Sequence, residues 1–291
     1  MDILVIVGPT AVGKTEYAIE QAVKFDGEII SADATQIYKG FDIGSAKPGA
    51  DERARAVHHL IDFADPFKEF SVADYQKMAL EAIRDVGSRG KLPILSGGTG
   101  LYVNAVVYDM DFSMSPKQEG FRQQLYDDAK AFGADFVHEK LRRIDPAVAG
   151  RIHPNNLKKT IRALEILAHG GALRSFEESF KLRDGLNPRI IGLTRKREEL
   201  YRRVDLRVDR IIESGLADEV KGLAESGLTE DNIAMKGIGY KEFLGYFRGE
   251  YSLEQTIYLI KRNSKRYAKR QMTWFRRYAD VTWVDLSEGE A

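Results

Sequence analysis

The 291-residue chain contains no cysteine. That excludes disulfides, thiolate zinc sites, cysteine nucleophiles and iron–sulfur clusters, and it fits a reducing compartment. Net charge is absent too, since 44 basic residues balance 44 acidic ones. The chain as a whole is therefore not built to attract a polyanion. No apolar run approaches the ~20 residues of a membrane span. The first residues lead directly into a strand pattern, so no signal peptide is expected. Acid is missing in one further place: residues 261–277 hold eight basic residues and no acidic one. A local basic block in a neutral chain reads as a directed surface. These absences predict a cytoplasmic protein with no membrane partner, acting as a monomer.

What is present begins at Gly8-Pro9-Thr10-Ala11-Val12-Gly13-Lys14-Thr15. An apolar run at 3–7 precedes it and a helical pattern at 16–24 follows. That is the strand, G-x-x-x-x-G-K-T loop and helix of a phosphate-binding site. Glycines let backbone N–H groups turn inward around an anion, and the new helix points its positive end at the same place. Lys14 adds a point charge, and the Thr15 hydroxyl can reach a magnesium ion held on the phosphates.

Strand and helix alternate through the first third. Residues 28–31, 59–63 and 92–96 read as strands. Ser71 caps a helix running to about Ser88, with Val72, Tyr75, Ala79, Ala82 and Val86 on one face. Such alternation predicts an α/β fold: a P-loop parallel sheet flanked by helices, with ligands at the carboxyl ends of the strands. From 113 to 187 the strands disappear. Phe121, Leu125 and Ala129, then Phe136, Lys140, Leu141 and Ile144, then Ile161, Leu164, Ile166 and Leu167 predict an all-helical insertion domain. Residues 1–112 are then the first part of the core. Residues 188–291 are its second part, with strands at 188–193 and 281–284 and a basic C-terminal helix.

Asp33 follows a strand end and would face the same crevice as Lys14. It could bind magnesium or accept a proton from a nucleophile; it reads equally as a turn aspartate or a helix cap. Gly97-Gly98-Thr99-Gly100 brings backbone and a hydroxyl close to a ligand, or is a tight turn capped by Thr99. The adjacent His58 and His59 point to opposite faces of a strand and make a poor metal site. Leu60-Ile61-Asp62 is the nearest match to a Walker B strand. It is short, which argues against a motor ATPase. Arg262, Arg266, Lys269 and Arg276 recur at helical spacing with Tyr267, Trp274 and Phe275 interleaved, a pattern suited to phosphates and bases. Arg151, His153, Lys158, Lys159 and Arg162 form a second basic set, and Lys236-Gly237-Ile238-Gly239-Tyr240-Lys241 a third.

Taken in order, these segments resemble the tRNA dimethylallyltransferases. The likeness runs through the phosphate loop, Ser31–Tyr38, Asp42-Ile43-Gly44-Ser45-Ala46-Lys47-Pro48, His58–Asp62 and Gly97–Tyr102. It continues through Arg151–Asn155, Arg162–Glu165, Gly237–Glu242 and Lys269–Arg276. The resemblance implies transfer of a dimethylallyl group from its diphosphate to N6 of adenosine-37, beside the anticodon of tRNAs reading codons that begin with U. Gly8, Pro9, Thr10, Ala11, Val12, Gly13, Lys14 and Thr15 would then hold the diphosphate of a prenyl donor instead of ATP, with Mg²⁺ on Thr15. Asp33 matches the family's base. Thr10 and Arg207 match groups that neutralise the leaving diphosphate, with Arg203 one helical turn from Arg207. The tRNA anticodon stem-loop would meet Asp33, Ala34, Thr35, Gln36, Thr99, Arg122, Lys158, Lys159 and Arg162. It would also meet Lys236, Gly239, Tyr240, Lys241, Arg262, Arg266, Lys269 and Arg270. The chain departs from the family pattern at Ala34, usually Ser, at Asn156, often Asp, and at Lys158 and Lys159, usually arginines. A P-loop small-molecule kinase using ATP is the alternative; it leaves the insertion and the basic helix without a role.

Overall fold

The computed structural model describes residues 1–110, 119–171, 173 and 181–287. The chain forms two compact units, Met1–Val107 with Arg183–Ala291, and Tyr108–Leu182.

The first unit opens with β1 (Asp2–Val7), α1 (Lys14–Lys24), β2 (Gly27–Ser31), α2 (Ala50–Arg55), β3 (His58–His59), α3 (Val72–Ser88), β4 (Leu92–Gly97) and α4 (Gly100–Val107). The second unit contributes α5 (Glu119–Phe132), α6 (Ala134–Ile144), α7 (Pro146–Gly150) and α8 (Leu157–Ala168). The first unit resumes with β5 (Asn187–Thr194), α9 (Arg197–Glu213), α10 (Leu216–Glu225), α11 (Tyr240–Phe247), α12 (Leu253–Phe275) and β6 (Val281–Asp285).

All six strands pair in parallel, in the order β3-β2-β4-β1-β5-β6. The apolar run of β1 lies between β4 and β5, which explains why it does not alternate. Val7 pairs with Gly97, and Ser31 with Ser96. This register brings the phosphate loop, Asp33 and the Gly97–Thr99 turn out together at the carboxyl ends of three neighbouring strands. Ile6, Val12, Ile19, Ile94 and Leu193 are fully buried beneath them, each such side chain contributing about 1.5–3 kcal/mol.

Two local readings are corrected. The strand expected at 59–63 is only His58–His59, because Leu60 and Asp62 both take φ 59° and turn the chain. Asp62 then pairs with Lys47 at 2.7 Å. The two histidines have separate partners: His58 Nδ1 lies 2.8 Å from the Ala56 carbonyl and His59 Nε2 lies 2.7 Å from Glu28. Helix α3 buries Tyr75, Ala79, Ile83 and Val86, so Ile83 takes the place expected of Ala82.

In the helical unit Leu125, Val137, Leu141, Val148, Ile161 and Leu164 form a separate core. Helix α6 is rotated by one residue from the expected face. Val137, His138 and Leu141 are buried, while Phe136 and Ile144 are exposed. The unit closes where Tyr108 and Leu182 bridge antiparallel and Asp109 N donates to the Lys181 carbonyl at 2.8 Å. Its ends therefore precede the expected 113 and 187, and position 113 lies outside the described residues. No helix among the described residues is long and apolar enough to cross a membrane.

Candidate active site

The phosphate loop is held by groups far away in sequence. Gly13 caps α1 at φ 112°, and Ala11 takes φ 64°, an uncommon conformation for a residue with a Cβ. The Ala11 carbonyl accepts from Arg203 Nε at 3.0 Å. Lys14 Nζ folds back onto the Gly8 and Pro9 carbonyls at 3.0 and 2.8 Å. Thr10 N–H donates to Gln271 Oε1 at 2.8 Å, and Gln271 Nε2 donates to the Gly98 carbonyl at 2.9 Å. One buried amide on α12 thus ties together the phosphate loop and the turn after β4. A Cβ on Gly98 would come within 2.3 Å of that amide nitrogen, so the close approach requires glycine.

Asp33 is a turn aspartate that also lines the cavity of the site. Its Oδ1 accepts from Thr35 N at 2.9 Å and Gln36 N at 3.3 Å, an Asx turn that fixes the carboxylate. No described protein group bonds Oδ2. Thr99 Oγ1 accepts from Ala34 N at 3.0 Å. Burial, then the charge of Asp33, pushes the Tyr267 pKa up to about 12, with nearby Thr99 and Gln271 opposing.

These groups surround one cavity of about 760 Å³. Thr10, Ala11, Gly13, Lys14, Thr15, Asp33, Thr35 and Gln36 line it from the strand ends, Arg203 and Arg207 from α9, and Ile260, Ser264, Tyr267, Arg270 and Gln271 from α12. Lys236 and Lys241 also reach it. Gly8, Pro9 and Val12 lie buried beneath the loop. Desolvation, then repulsion from Arg207, lowers the Lys14 pKa to about 7, with Asp33 opposing. Burial likewise lowers Arg207, again against Asp33. Arg207 Nη2 donates to the Ser45 carbonyl at 3.2 Å. Partly desolvated cations facing each other across a polar cavity would be stabilised by an anion between them. Among the described residues no three His, Cys, Asp or Glu side chains cluster as a metal site.

Several residues expected to contact tRNA are engaged within the protein or stand away from this cavity. Tyr240 is fully buried, with its hydroxyl on Glu219 Oε1 at 2.8 Å, so its ring shapes the interior and does not meet solvent. Gly239 is buried, and its N–H donates to Glu242 at 2.7 Å. The Gln36 amide accepts from Ser31 Oγ and donates to the Ala46 carbonyl at 3.2 Å. Arg262, Arg266 and Lys269 do not line the cavity. Lys261 and Lys265 pair with Asp209 and Asp205 of α9, each at 2.6 Å. In the helical unit Arg122 grips buried Glu165 through two bonds, at 2.9 and 2.7 Å, and Arg162 Nη1 lies 3.5 Å from the same carboxylate. Lys158 and Lys159 are exposed in the first turn of α8. Gln271 escaped the sequence reading as a site residue. Its signal is the spacing of Ile260, Ser264, Tyr267 and Gln271 along one face of α12.

The family model described as IPP transferase matches residues 36–278. The tRNA dimethylallyltransferase of Alkaliphilus oremlandii is 50% identical over 286 residues, covering 98% of this chain and 91% of that one. A crystal structure of the full-length tRNA isopentenylpyrophosphate transferase from Bacillus halodurans aligns with TM-score 0.75 and 45% identity, over 99% of this chain and 91% of that one. A eukaryotic dimethylallyltransferase acting on tRNA aligns with TM-score 0.83 and 29% identity, over 99% of this chain and 74% of that one.

Proposed function

This chain belongs to the IPP transferase family, and from that premise we propose that it transfers a dimethylallyl group from dimethylallyl diphosphate to tRNA. The acceptor is N6 of adenosine-37, in tRNAs reading codons that begin with U. The observation that carries the reading is the single cavity shared by Asp33 and the phosphate loop with Lys14, Arg203 and Arg207. A carboxylate with one oxygen fixed by backbone N–H groups sits across from a cationic anion site.

In the reaction the N6 nitrogen attacks the allylic carbon, the carbon–oxygen bond breaks, and its electron pair leaves with the diphosphate. The N6 proton passes to Asp33 Oδ2, the oxygen that the turn leaves unbonded. Lys14, Arg207 and the loop N–H groups of residues 11 and 13–15 receive the growing charge, with the Thr10 hydroxyl beside them. Closing the cavity by α12 excludes water from the allylic carbon, which would otherwise be hydrolysed. The residues suit Mg²⁺: Thr15 offers a hard oxygen at the mouth of α1, and diphosphate oxygens and waters would complete the shell. Mg²⁺ bound there supplies further neutralisation of the leaving group. Every group in this scheme comes from one chain, which supports action as a monomer, and a cytoplasmic location fits a tRNA substrate.

RNA contact is supported on both units. Arg270, Lys236 and Lys241 reach the cavity. Lys158 and Lys159 stand at the N-terminus of α8, where the helix dipole disfavours cations and no acid offsets them. A neutral Asn156 cap, whose side chain accepts from Lys159 N, and two exposed lysines at that end suit a phosphate. The test is incubation of the purified chain with Mg²⁺, unmodified bulk tRNA and labelled dimethylallyl diphosphate or ATP. Label from the prenyl donor should enter tRNA at one adenosine. Phosphoryl transfer from ATP, with no prenyl transfer, would establish the kinase reading instead.

A further inference from the structure

The segment 42–46 carries no catalytic side chain, yet its backbone lines the cavity at Gly44, Ser45 and Ala46. Three consecutive N–H groups converge on one carboxylate from α10. Asp42 N and Ile43 N donate to Glu219 Oε2 at 3.0 and 2.7 Å, and Gly44 N donates to Oε1 at 3.0 Å. The Tyr240 hydroxyl adds a fourth bond at 2.8 Å. Successive N–H groups pointing inward form a backbone nest, an arrangement that elsewhere holds phosphates. Here the chain fills it with its own anion. The fit is close, because a Cβ on Gly44 would lie 2.6 Å from the Tyr240 ring.

The nest leads directly to the site. The turn continues with Ala46 N donating to the Ile43 carbonyl and Lys47 N to the Asp42 carbonyl, both at 3.0 Å. Ser45 Oγ donates to the Phe41 carbonyl at 2.6 Å. The Ser45 carbonyl therefore has a fixed direction, and Arg207 Nη2 donates to it at 3.2 Å. We infer that Glu219 is a positioning residue for Arg207: its carboxylate closes the Asp42–Gly44 nest, and the turn so fixed holds the carbonyl that orients the guanidinium in the cavity. The inference rests on the diphosphate reading of that cavity. A long, flexible arginine is useful against a leaving group only if it is aimed beforehand. Glu219 supplies the aim without touching substrate.

The test is a double-mutant cycle between Glu219→Gln and Arg207→Ala on the whole chain. The amide keeps the size of Glu219 but loses its charge and turns one N–H pair toward donors. Measurements are kcat and KM for both substrates, and calorimetric binding of inorganic diphosphate with Mg²⁺. Amide hydrogen exchange of residues 42–46 is followed alongside. Glu219→Gln should lower kcat about 10–100-fold, the cost of a small misplacement at the reacting centre. It should leave KM for tRNA within about twofold and speed exchange across the nest. In the Arg207→Ala background it should add nothing to the loss of kcat or of diphosphate affinity. A Glu219→Gln protein with wild-type kcat and diphosphate affinity overturns the inference, and so do losses that multiply with Arg207→Ala. If Glu219→Gln fails to fold, Tyr240→Phe removes one of the four bonds and should give a smaller loss with the same non-additivity. A wild-type chain that binds diphosphate but prenylates no tRNA would sink the functional reading, while the diphosphate cycle would still decide the role of Glu219.

Discussion

Helix α12 has two faces of opposite kind. Ile260, Ser264, Tyr267 and Gln271 look into the cavity, and the amide of Gln271 is bonded to the loops around it. Arg262, Arg266, Lys269 and Arg276 fall about half a helical turn away. None of those four has an ion-pair partner among the described residues, although Arg262 lies over the Tyr258 ring at 5.8 Å. Directional bonds fix positions, whereas exposed cations such as Arg266, Lys269 and Arg276 supply field and little geometry. One helix thus separates the two tasks of an RNA-modifying enzyme. Under the proposed function its inner face would shape the reacting centre and its outer face would attract a polyanion.

The largest effect should come from the cavity itself. Asp33→Ala is expected to lower kcat by roughly 10²–10⁴-fold while tRNA affinity stays close to wild type. Single-turnover kinetics beside a filter-binding titration check this. If the variant lost only tRNA affinity, Asp33 would belong with the outer cations and the contrast would dissolve.

Gln271→Leu comes next. The substitution keeps bulk but leaves the Thr10 N–H and the Gly98 carbonyl unpaired in a buried site, a penalty of about 1–3 kcal/mol for each such group. A fall in Tm together with about a 10–100-fold fall in kcat is expected. Arg266→Ala, two turns or less away on the other face, should move neither quantity. Equal behaviour of the two variants in a melting curve and a kcat measurement would refute a division of labour.

A smaller effect is a proton. Burial lowers the Lys14 pKa to about 7, so most molecules carry it neutral above that pH. A bound diphosphate favours the charged form and raises the pKa again. Binding should therefore take up a proton when pH exceeds about 7, and affinity should fall as pH rises through that range. Calorimetry at about pH 8.5 in two buffers of different ionisation enthalpy reads the uptake. Lys14→Ala should bind more weakly and lose this component. Persistence of the full uptake in Lys14→Ala would assign it to another group.

The phosphate loop, the parallel sheet and the helical insertion were legible in the sequence because each rests on local pattern. So was the placement of Asp33, since a residue just past a parallel strand shares an edge with its neighbours' loops. What escaped was set by contacts between distant segments. Gln271 meets Thr10 across 261 residues, and Glu219 meets Gly44 across 175. At neither position does the residue type distinguish a clamp from an ordinary polar residue; only the helical spacing of Gln271 with Ile260, Ser264 and Tyr267 points inward. Tyr240 read as a nucleic-acid contact because it stands between glycines and lysines, yet its partner is a carboxylate on another helix. The basic block read as uninterrupted because its acids come from α9, which pairs with Lys261 and Lys265.

That redistribution sharpens the last and smallest effect. Of the eight cations in the block, Lys261 and Lys265 are already paired, Arg270 lines the cavity and Arg277 lies over the Trp274 ring at 6.0 Å. Arg262, Arg266, Lys269 and Arg276 remain for the outer face. If they meet tRNA phosphates, each neutralised contact should reduce the slope of log K against log[salt] by about 0.7–0.9. The loss should be similar for tRNAs with and without the target adenosine, because phosphate contacts carry no sequence information. Arg266→Ala and Lys269→Ala should each show it, with kcat at saturating tRNA unchanged. Lys261→Ala should leave the slope alone, since its charge is spent on Asp209. Salt titrations of the three variants discriminate directly. If Lys261→Ala changed the slope as much as Arg266→Ala did, the ion pairs to α9 would be open in solution and the block would act as one undivided surface. If none of the three changed it, tRNA would be held by Lys236, Lys241 and Arg270 at the cavity and by the lysines at the start of α8.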